Sequence, residues 1–226
     1  MPAMTALEQI LDYKIVAILR GCTPDRIPDI AAALAEGGVR LMEITLNSPG
    51  ALESIRQLSG IMGDRMLVGA GTVLTAAEAE AAVDAGARFI ISPTLDIETI
   101  RRTRQLGAIS IPGAFTPTEI LTAYRNGADI IKVFPAGSSG ASYFKELRGP
   151  LPQIPLMPTG GVNLDNIRDF KAAGAVAFGI SSALVPAGQE NTGPALRQLT
   201  ERAAAYIKAV QGNSSSVPTG APPISG

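Results

Sequence analysis

The chain has 226 residues, of which 19 are basic and 20 are acidic, so its net charge is −1. This balance argues against nucleic acid or an anionic membrane as its partner and favours a small molecule. With 46% apolar residues it can bury a sizeable core, and α/β barrels of this length commonly form one domain. It contains no histidine, which excludes the commonest general base and the Ser-His and Cys-His nucleophile pairs, so catalysis would use lysine, carboxylates, hydroxyls and backbone.

Short apolar segments rich in β-branched residues follow one another along the chain and predict strands. In five of them, a glycine suited to end a helix is followed almost at once by the apolar run. The predicted strands lie within eight segments: 14–19, 36–44, 65–71, 84–92, 105–112, 126–134, 154–161 and 172–180.

The segments between the strands carry apolar residues at helical spacing, as in 26–37 and 117–127. Two pairs have capping-box spacing: Thr75 with Glu78, and Thr116 with Glu119. Three further pairs offer an N-cap hydroxyl followed by a helix-starting proline. They are Thr23-Pro24, Ser48-Pro49 and Thr116-Pro117.

Strands that are apolar throughout and alternate with helices favour a parallel sheet with both faces covered. We therefore predict an α/β fold, a single-domain (β/α)8 TIM barrel over residues 1–211. A doubly wound open sheet is the alternative, although no GxGxxG follows the first strand to support a dinucleotide site. Residues 212–226 are rich in Ser, Pro and Gly and lack periodicity, which predicts a disordered tail.

The compartment is indicated by cysteine usage and by the first residues. Cys22 is the only cysteine, which excludes an intrachain disulfide and fits a reducing compartment. Residues 1–14 lack the basic start and apolar run of a secretion signal, and charges and glycines interrupt the apolar residues too often for a membrane span. We expect a cytoplasmic protein.

Polar residues concentrate where the predicted strands end, and barrel enzymes carry their chemistry at that end. The loops after the last two strands match the usual barrel phosphate site, in which backbone N–H groups and hydroxyls bind an anion. Arg20 and Glu43 could instead form a structural ion pair between the first two strands, a role compatible with catalysis. The candidate residues at these strand ends are Arg20, Glu43, Thr45, Asn47, Thr72, Pro93, Lys132, Phe134, Thr159, Gly160, Gly161, Ser181 and Ser182.

Lys132 lies between Ile131 and Val133 in the apolar run ADIIKVFPA. Poor solvation favours the neutral amine, which is a usable nucleophile and can condense with a ketone to a Schiff base. A structural pair between Lys132 and Glu43 is the alternative, but burying such a pair seldom gives a net gain over apolar packing.

The motifs IVAILRG, MEITLNSP, GAGTVL, IPGAFTPTE, IKVFPA, PTGGV and ISSALVPAG together resemble the class I aldolases that act on 2-keto-3-deoxy-6-phosphogluconate and 4-hydroxy-2-oxoglutarate. The resemblance runs from about residue 14 to residue 210. It implies a metal-free (β/α)8 barrel without cofactor, usually trimeric. Within this family, LNSP with ILRG resembles the 6-phosphogalactonate enzymes, whereas the gluconate enzymes often carry an arginine in place of Asn47.

The resemblance implies a role for each site residue. Lys132 matches the Schiff-base lysine and Glu43 the general acid/base, while Arg20 and Thr72 match the residues that hold the carboxylate of pyruvate. The phosphate-binding loops match Gly160, Gly161, Ser181 and Ser182, although Ser181 replaces a frequent glycine. Further pocket residues are Thr45, Asn47, Pro93, Phe134 and Thr159.

The resulting hypothesis is reversible cleavage of a 2-keto-3-deoxy-6-phospho sugar acid to pyruvate and D-glyceraldehyde 3-phosphate. Cleavage of 4-hydroxy-2-oxoglutarate and decarboxylation of oxaloacetate are expected side activities. Two alternatives stay open: a sugar-phosphate epimerase or isomerase that uses Lys132 and Glu43 without a covalent intermediate, and a non-catalytic phosphate-ligand binding protein.

Overall fold

The computed structural model describes residues 4–211, so the predicted tail at 212–226 lies outside the described residues. The strands are β1 (Ile15–Leu19), β2 (Leu41–Thr45), β3 (Leu67–Gly71), β4 (Phe89–Ile91), β5 (Ile109–Ile111), β6 (Gly113–Ala114), β7 (Ile131–Val133), β8 (Leu156–Pro158) and β9 (Phe178–Ile180). The helices are α1 (Ala6–Tyr13), α2 (Ile27–Glu36), α3 (Ala51–Met62), α4 (Ala76–Asp84), α5 (Ile97–Gln105), α6 (Pro117–Arg125), α7 (Ala136–Arg148), α8 (Ile167–Ala172) and α9 (Gly193–Gln211).

Every predicted apolar segment overlaps a strand, and a short second strand, β6, lies just beyond the end of the fifth segment. Pro112 separates β5 from β6, because a proline has no N–H to continue a ladder. The Pro112 carbonyl still accepts a hydrogen bond from the Lys132 N–H at 2.9 Å, which holds β7 beside the interruption.

All strand pairs in the described part of the chain are parallel, and they form two sheets. The larger has the order β5-β4-β3-β2-β1-β9 and the smaller β6-β7-β8. Thr159 bridges to Gly179 between β8 and β9, where Val176 N–H also donates to the Leu156 carbonyl at 3.0 Å. The predicted parallel alternation is confirmed, whereas the ladders form a curled sheet of six and a sheet of three rather than one continuous ring.

The strand order separates a barrel from a doubly wound sheet. In a doubly wound sheet, the order in which successive strands are added reverses at a switch point between the two halves. Here β1 to β5 are neighbours in chain order, and the last strand, β9, pairs with the first. This order is the one expected for a sheet that curls towards closure.

The inner face of the sheets forms its own apolar cluster, which includes Val16, Leu41, Phe89 and Met157. These residues lie in the first halves or middles of their strands. Ile10 of α1 is fully buried in the same cluster, so α1 covers the N-terminal ends of the strands. The opposite ends are thereby left for polar side chains.

Helix α1 was not predicted from the sequence, although it begins with a capping box. Thr5 Oγ1 accepts from the Glu8 N–H at 3.3 Å, and Glu8 accepts from the Thr5 N–H at 2.7 Å. The Thr-x-x-Glu spacing was therefore the available signal.

The predicted capping boxes at Thr75 and Thr116 are confirmed, but two predicted caps are wrong. Helix α3 follows Gly50, whose φ of 63° turns the chain into the helix, and not Ser48. Helix α2 begins after Arg26, with Pro28 in its first turn, so Thr23 is not its N-cap.

Within the described residues, no helix is long and apolar enough to cross a membrane.

Candidate active site

Glu43 and Lys132 face the interior at the C-terminal half of the sheets. Side chains two residues apart on a strand share a face, and Leu41 and Ile130 belong to the inner cluster. Glu43 is 1% exposed and Lys132 is 5% exposed. Among residues 4–211 they are the two buried residues of the Asp, Glu, Lys and Arg types. A carboxyl group and an amine are thus both shielded from bulk solvent in the interior.

Burial changes the proton affinity of both groups. It raises the pKa of the Glu43 carboxyl above its ordinary value of 4.5, although the charges of Lys132 and Arg20 oppose this rise. Burial lowers the pKa of the Lys132 amine below 10.5; the charge of Glu43 opposes the fall and that of Arg20 adds to it. The site therefore favours a neutral amine beside a carboxyl that can hold a proton.

The two groups are not joined as a structural ion pair. Three ion pairs within 4.0 Å occur among the described residues, and they involve neither Glu43 nor Lys132. Glu43 Oε2 is buried without a hydrogen-bond partner, and Lys132 Nζ lies 5.0 Å from the centre of the Phe134 ring. Because an unpaired buried oxygen is costly, its retention favours a working role over a stabilising one.

Glycine makes the space that the Glu43 carboxylate occupies. A Cβ on Gly71 of β3 would overlap Glu43 Oε1 and would lie 2.6 Å from its carboxyl carbon. The neighbouring inward position, Gly69, is filled in the same way by the Phe89 ring. The glycines of GAGT therefore admit inward side chains from adjacent strands.

Arg20 follows β1 and is held by two polar side chains. Its guanidinium donates to Asn47 Oδ1 at 3.1 Å and to Thr72 Oγ1 at 3.3 Å. Thr72 takes a φ of 57°, which is uncommon for a residue other than glycine, and strained residues of this kind cluster at functional sites. Arg20 is exposed and is not paired with Glu43, so the interpretation as an ion pair between β1 and β2 is not supported.

The predicted phosphate loops meet around one cavity. It has a volume of about 320 Å³ and is lined by Gly160, Gly161, Ser181 and Ser182 among others. Gly160 and Gly161 have φ values of 81° and 79°, a conformation that favours glycine. A Cβ on Gly161 would lie 2.7 Å from Cα of Gly137, so the first turn of α7 packs directly on this loop.

The other predicted residues lie at the same end of the strands. Thr159 is buried beside Gly179, and its hydroxyl has no hydrogen-bond partner. Pro93 follows β4, and its backbone lies against Gly113. The Thr45 hydroxyl contacts the Leu19 carbonyl at 3.2 Å, so it supports the end of β1.

Two supporting residues were missed by sequence reasoning. Ser48 was interpreted as a helix cap, but its hydroxyl accepts from the Gly21 N–H at 2.8 Å. Asn166 donates from Nδ2 to the Gly161 carbonyl at 2.8 Å and thereby fixes the glycine loop. For Asn166, the only signal in the sequence was its spacing from Asn163, because asparagine side chains often hydrogen-bond to the backbone of a turn.

The chemistry available at this site is that of a buried amine, a carboxyl group and anion-binding groups. Within residues 4–211, no group of three His, Cys, Asp or Glu side chains could hold a metal ion. These residues define a parallel α/β protein with a lysine–carboxyl centre inside its sheets and polar loops around it.

Comparison with known proteins gives the family. The family model described as "KDPG and KHG aldolase" matches residues 7–198. The 2-dehydro-3-deoxy-6-phosphogalactonate aldolase of Escherichia coli is 37% identical over 196 residues, which cover 86% of this chain and 93% of that protein. The chain belongs to the KDPG and KHG aldolase family.

Solved structures agree with this assignment. A structure described as native KDPGal has a TM-score of 0.82 at 36% identity, covering 87% of this chain and 94% of that one. The KDPG aldolase of Legionella pneumophila, with pyruvate captured as a covalent carbinolamine, has a TM-score of 0.79 at 29% identity, covering 85% and 93%. The expected family resemblance is thus confirmed.

Proposed function

We propose that this chain is a class I aldolase that reversibly cleaves a 2-keto-3-deoxy-6-phospho sugar acid to pyruvate and D-glyceraldehyde 3-phosphate. One observation carries the proposal: Lys132 is buried with a lowered amine pKa, on the same inner face as Glu43 with a raised carboxyl pKa. A neutral amine is the form that attacks a ketone, and a protonated carboxyl group is the form that releases the carbonyl oxygen as water.

The cleavage proceeds through an adduct on Lys132. Its neutral amine adds to C2 of the keto acid, and Glu43 donates the proton with which the C2 oxygen leaves as water. The resulting iminium accepts the electron pair of the C3–C4 bond while Glu43 takes the proton of the C4 hydroxyl, so that the aldehyde departs. Glu43 then protonates C3 of the enamine, and water hydrolyses the iminium to release pyruvate and the free amine.

The anionic groups of the substrate have complementary partners. Arg20 and Thr72 bind the carboxylate, because a guanidinium and a fixed hydroxyl suit its planar oxygens. The cavity lined by Gly160, Gly161, Ser181 and Ser182 receives the phosphate at the other end of the substrate.

The C4 configuration has two candidates within this proposal. The relatives are named for both the gluconate and the galactonate acid. Asn47 and the similarity to the Escherichia coli galactonate enzyme favour the galactonate acid. The enamine of pyruvate also permits cleavage of 4-hydroxy-2-oxoglutarate, since that reaction needs the same C3–C4 chemistry.

Product analysis tests the function directly. Purified protein is incubated with each phosphorylated keto acid, and pyruvate is measured with lactate dehydrogenase and NADH. We expect release of pyruvate and glyceraldehyde 3-phosphate in equal amounts, with kcat/KM ranking the two acids. Formation of an epimer without pyruvate would favour an epimerase, and binding without any product would favour a non-catalytic protein.

The assembly and the compartment are part of the same proposal. The two sheets close into one (β/α)8 barrel, which the Thr159–Gly179 bridge and the strand order support. The chain forms a homotrimer in the cytoplasm, as the family resemblance and the single cysteine indicate. Light scattering on the purified protein should give the mass of three chains, and the mass of one chain would exclude the trimer.

A further inference from the structure

The turn that follows β2 contacts Arg20 and its neighbour in two places. The turn is closed by the Ser48 N–H, which donates to the Thr45 carbonyl at 2.9 Å. Asn47 on this turn accepts from the Arg20 guanidinium at 3.1 Å, and Ser48 Oγ accepts from the Gly21 N–H at 2.8 Å. One short segment thus holds the charged end of Arg20 and the backbone beside it.

The two hydroxyls of the turn form a directional chain of hydrogen bonds. The Gly21 N–H can only donate, and it donates to Ser48 Oγ. The Thr45 hydroxyl donates its single proton to the Leu19 carbonyl at 3.2 Å. The 2.9 Å contact between the two hydroxyls is therefore completed by the Ser48 proton, donated to Thr45. The chain runs from Gly21 through Ser48 and Thr45 to Leu19, and every proton is used.

This chain of bonds spans the backbone on both sides of Arg20, where other restraints are weak. Arg20 is exposed and lies one residue beyond β1. Gly21 has a φ of 71°, and a Cβ there would meet no atom within 4 Å, so packing does not fix this position. Thr45 and Ser48 are 0% and 7% exposed, which protects their bonds from competing water.

We propose that Thr45 and Ser48 are positioning residues for Arg20, and that through Arg20 they set the affinity of the site for the carboxylate of a 2-keto acid. This inference rests on the proposed function, because it assumes that a keto acid forms an adduct on Lys132. It assigns a role to two side chains that do not contact the reacting atoms.

The test compares two carbonyl compounds that differ in the carboxylate. Pyruvate carries the group that Arg20 binds, whereas acetone lacks it. Each is titrated with borohydride present, and the reduced adduct on Lys132 is quantified by mass spectrometry. For Ser48→Ala we expect the half-saturating pyruvate concentration to rise roughly tenfold, because both hydrogen bonds of the Ser48 hydroxyl are lost and about one bond's worth of that loss acts through Arg20. The acetone titration and the maximal adduct with pyruvate should stay within about twofold of wild type.

Matched variants separate positioning from general damage. Ser48→Thr retains the hydroxyl and should restore the wild-type pyruvate titration. Thr45→Val breaks the other end of the chain and should reproduce the Ser48→Ala effect. Ser59→Ala removes a hydroxyl that donates to the Gly86 carbonyl at 3.2 Å, at the N-terminal end of the sheet, and should leave both titrations unchanged.

The outcomes distinguish this inference from the proposed function. If wild type forms an adduct and Ser48→Ala and Thr45→Val show wild-type half-saturation with pyruvate, the positioning role is overturned and the aldolase stands. If Ser48→Ala raises the half-saturating concentrations of acetone and pyruvate equally, Ser48 has only a structural role and the inference is also overturned. If wild type forms no pyruvate adduct, the proposed function fails, and the inference fails with it.

Discussion

Replacing Lys132 with methionine is expected to lower kcat by about 10⁴-fold or more and, at the same time, to stabilise the protein. The loss of activity follows because no other amine is buried in the described interior. The gain in stability follows because methionine fills a similar volume without the cost of taking an amine out of water, which the fold meets by lowering the amine pKa. We expect the free energy of unfolding at neutral pH to rise by roughly 1–2 kcal/mol.

The stability gain should depend on pH with a definite sign. Because burial holds the pKa of Lys132 below 10.5, the folded protein binds fewer protons than the unfolded chain between the lowered value and 10.5. The free energy of unfolding of the wild type therefore rises with pH through this window, and that of Lys132→Met lacks this rise. Urea titrations at several pH values measure both curves.

Two further variants control the Lys132→Met experiment. Lys145→Met changes an exposed lysine on α7 and should leave kcat and stability near wild type. Lys132→Arg keeps a positive charge but supplies no neutral amine, so it should be as inactive as Lys132→Met. Wild-type turnover by Lys132→Arg would exclude Lys132 as the nucleophile.

Replacing Glu43 with glutamine is expected to lower kcat by about 10²–10⁴-fold, the usual contribution of a positioned acid/base group. The change keeps the shape of the side chain and removes its ability to exchange a proton. The amine of Lys132 is retained, so pyruvate should still form the adduct, but more slowly. Steady-state cleavage assays and a time course of borohydride trapping separate the two effects.

The buried Glu43 carboxyl should make the stability of the wild type fall as pH rises, the opposite of the effect of Lys132. Burial raises the pKa of this carboxyl above 4.5, so between 4.5 and the raised value the folded protein binds more protons than the unfolded chain. The wild type therefore loses stability as pH rises through this window, whereas Glu43→Gln does not. Glu53→Gln, an exposed change on α3, is the matched control and should alter neither kcat nor this profile. Unchanged turnover by Glu43→Gln would contradict the assigned acid/base role.

The strands were predictable because parallel strands buried on both faces must be apolar along their whole length. Each predicted apolar segment overlaps a strand, and the two charged residues within the described strands, Glu43 and Lys132, both have shifted pKa values. A polar residue in such a strand has a desolvation cost, so it indicates function more strongly than a polar residue in a loop.

The loop geometry was less predictable, because one residue type serves several purposes. Ser48 before Pro49 has the sequence of a helix cap, yet its hydroxyl accepts from the N–H of Gly21, two residues beyond β1 and distant in sequence. Arg20, just after β1, and Glu43, in the adjacent strand β2, have opposite charges, yet Arg20 donates to Asn47 and Thr72 instead. These choices depend on three-dimensional distances that spacing along the chain does not contain.

The closure of the sheets was likewise beyond sequence patterns. Pro112 could be recognised as an interruption of the fifth strand, but its effect on the ladders depends on which carbonyls the neighbouring strand reaches. The inward glycines Gly71 and Gly179 make room for the polar side chains of Glu43 and Thr159, respectively. Such pairings become visible only once the register is known.

The most direct test of a covalent mechanism is to trap the intermediate on the wild-type protein. Protein, pyruvate and borohydride are combined, and tryptic peptides are examined by mass spectrometry. We predict a peptide spanning residues 126–145, uncleaved after Lys132, that carries the mass of pyruvate less water plus two hydrogens. Lys132→Arg should carry no such adduct at position 132. An adduct absent from wild type, or one located on another lysine, would contradict the assignment of Lys132 as the Schiff-base residue.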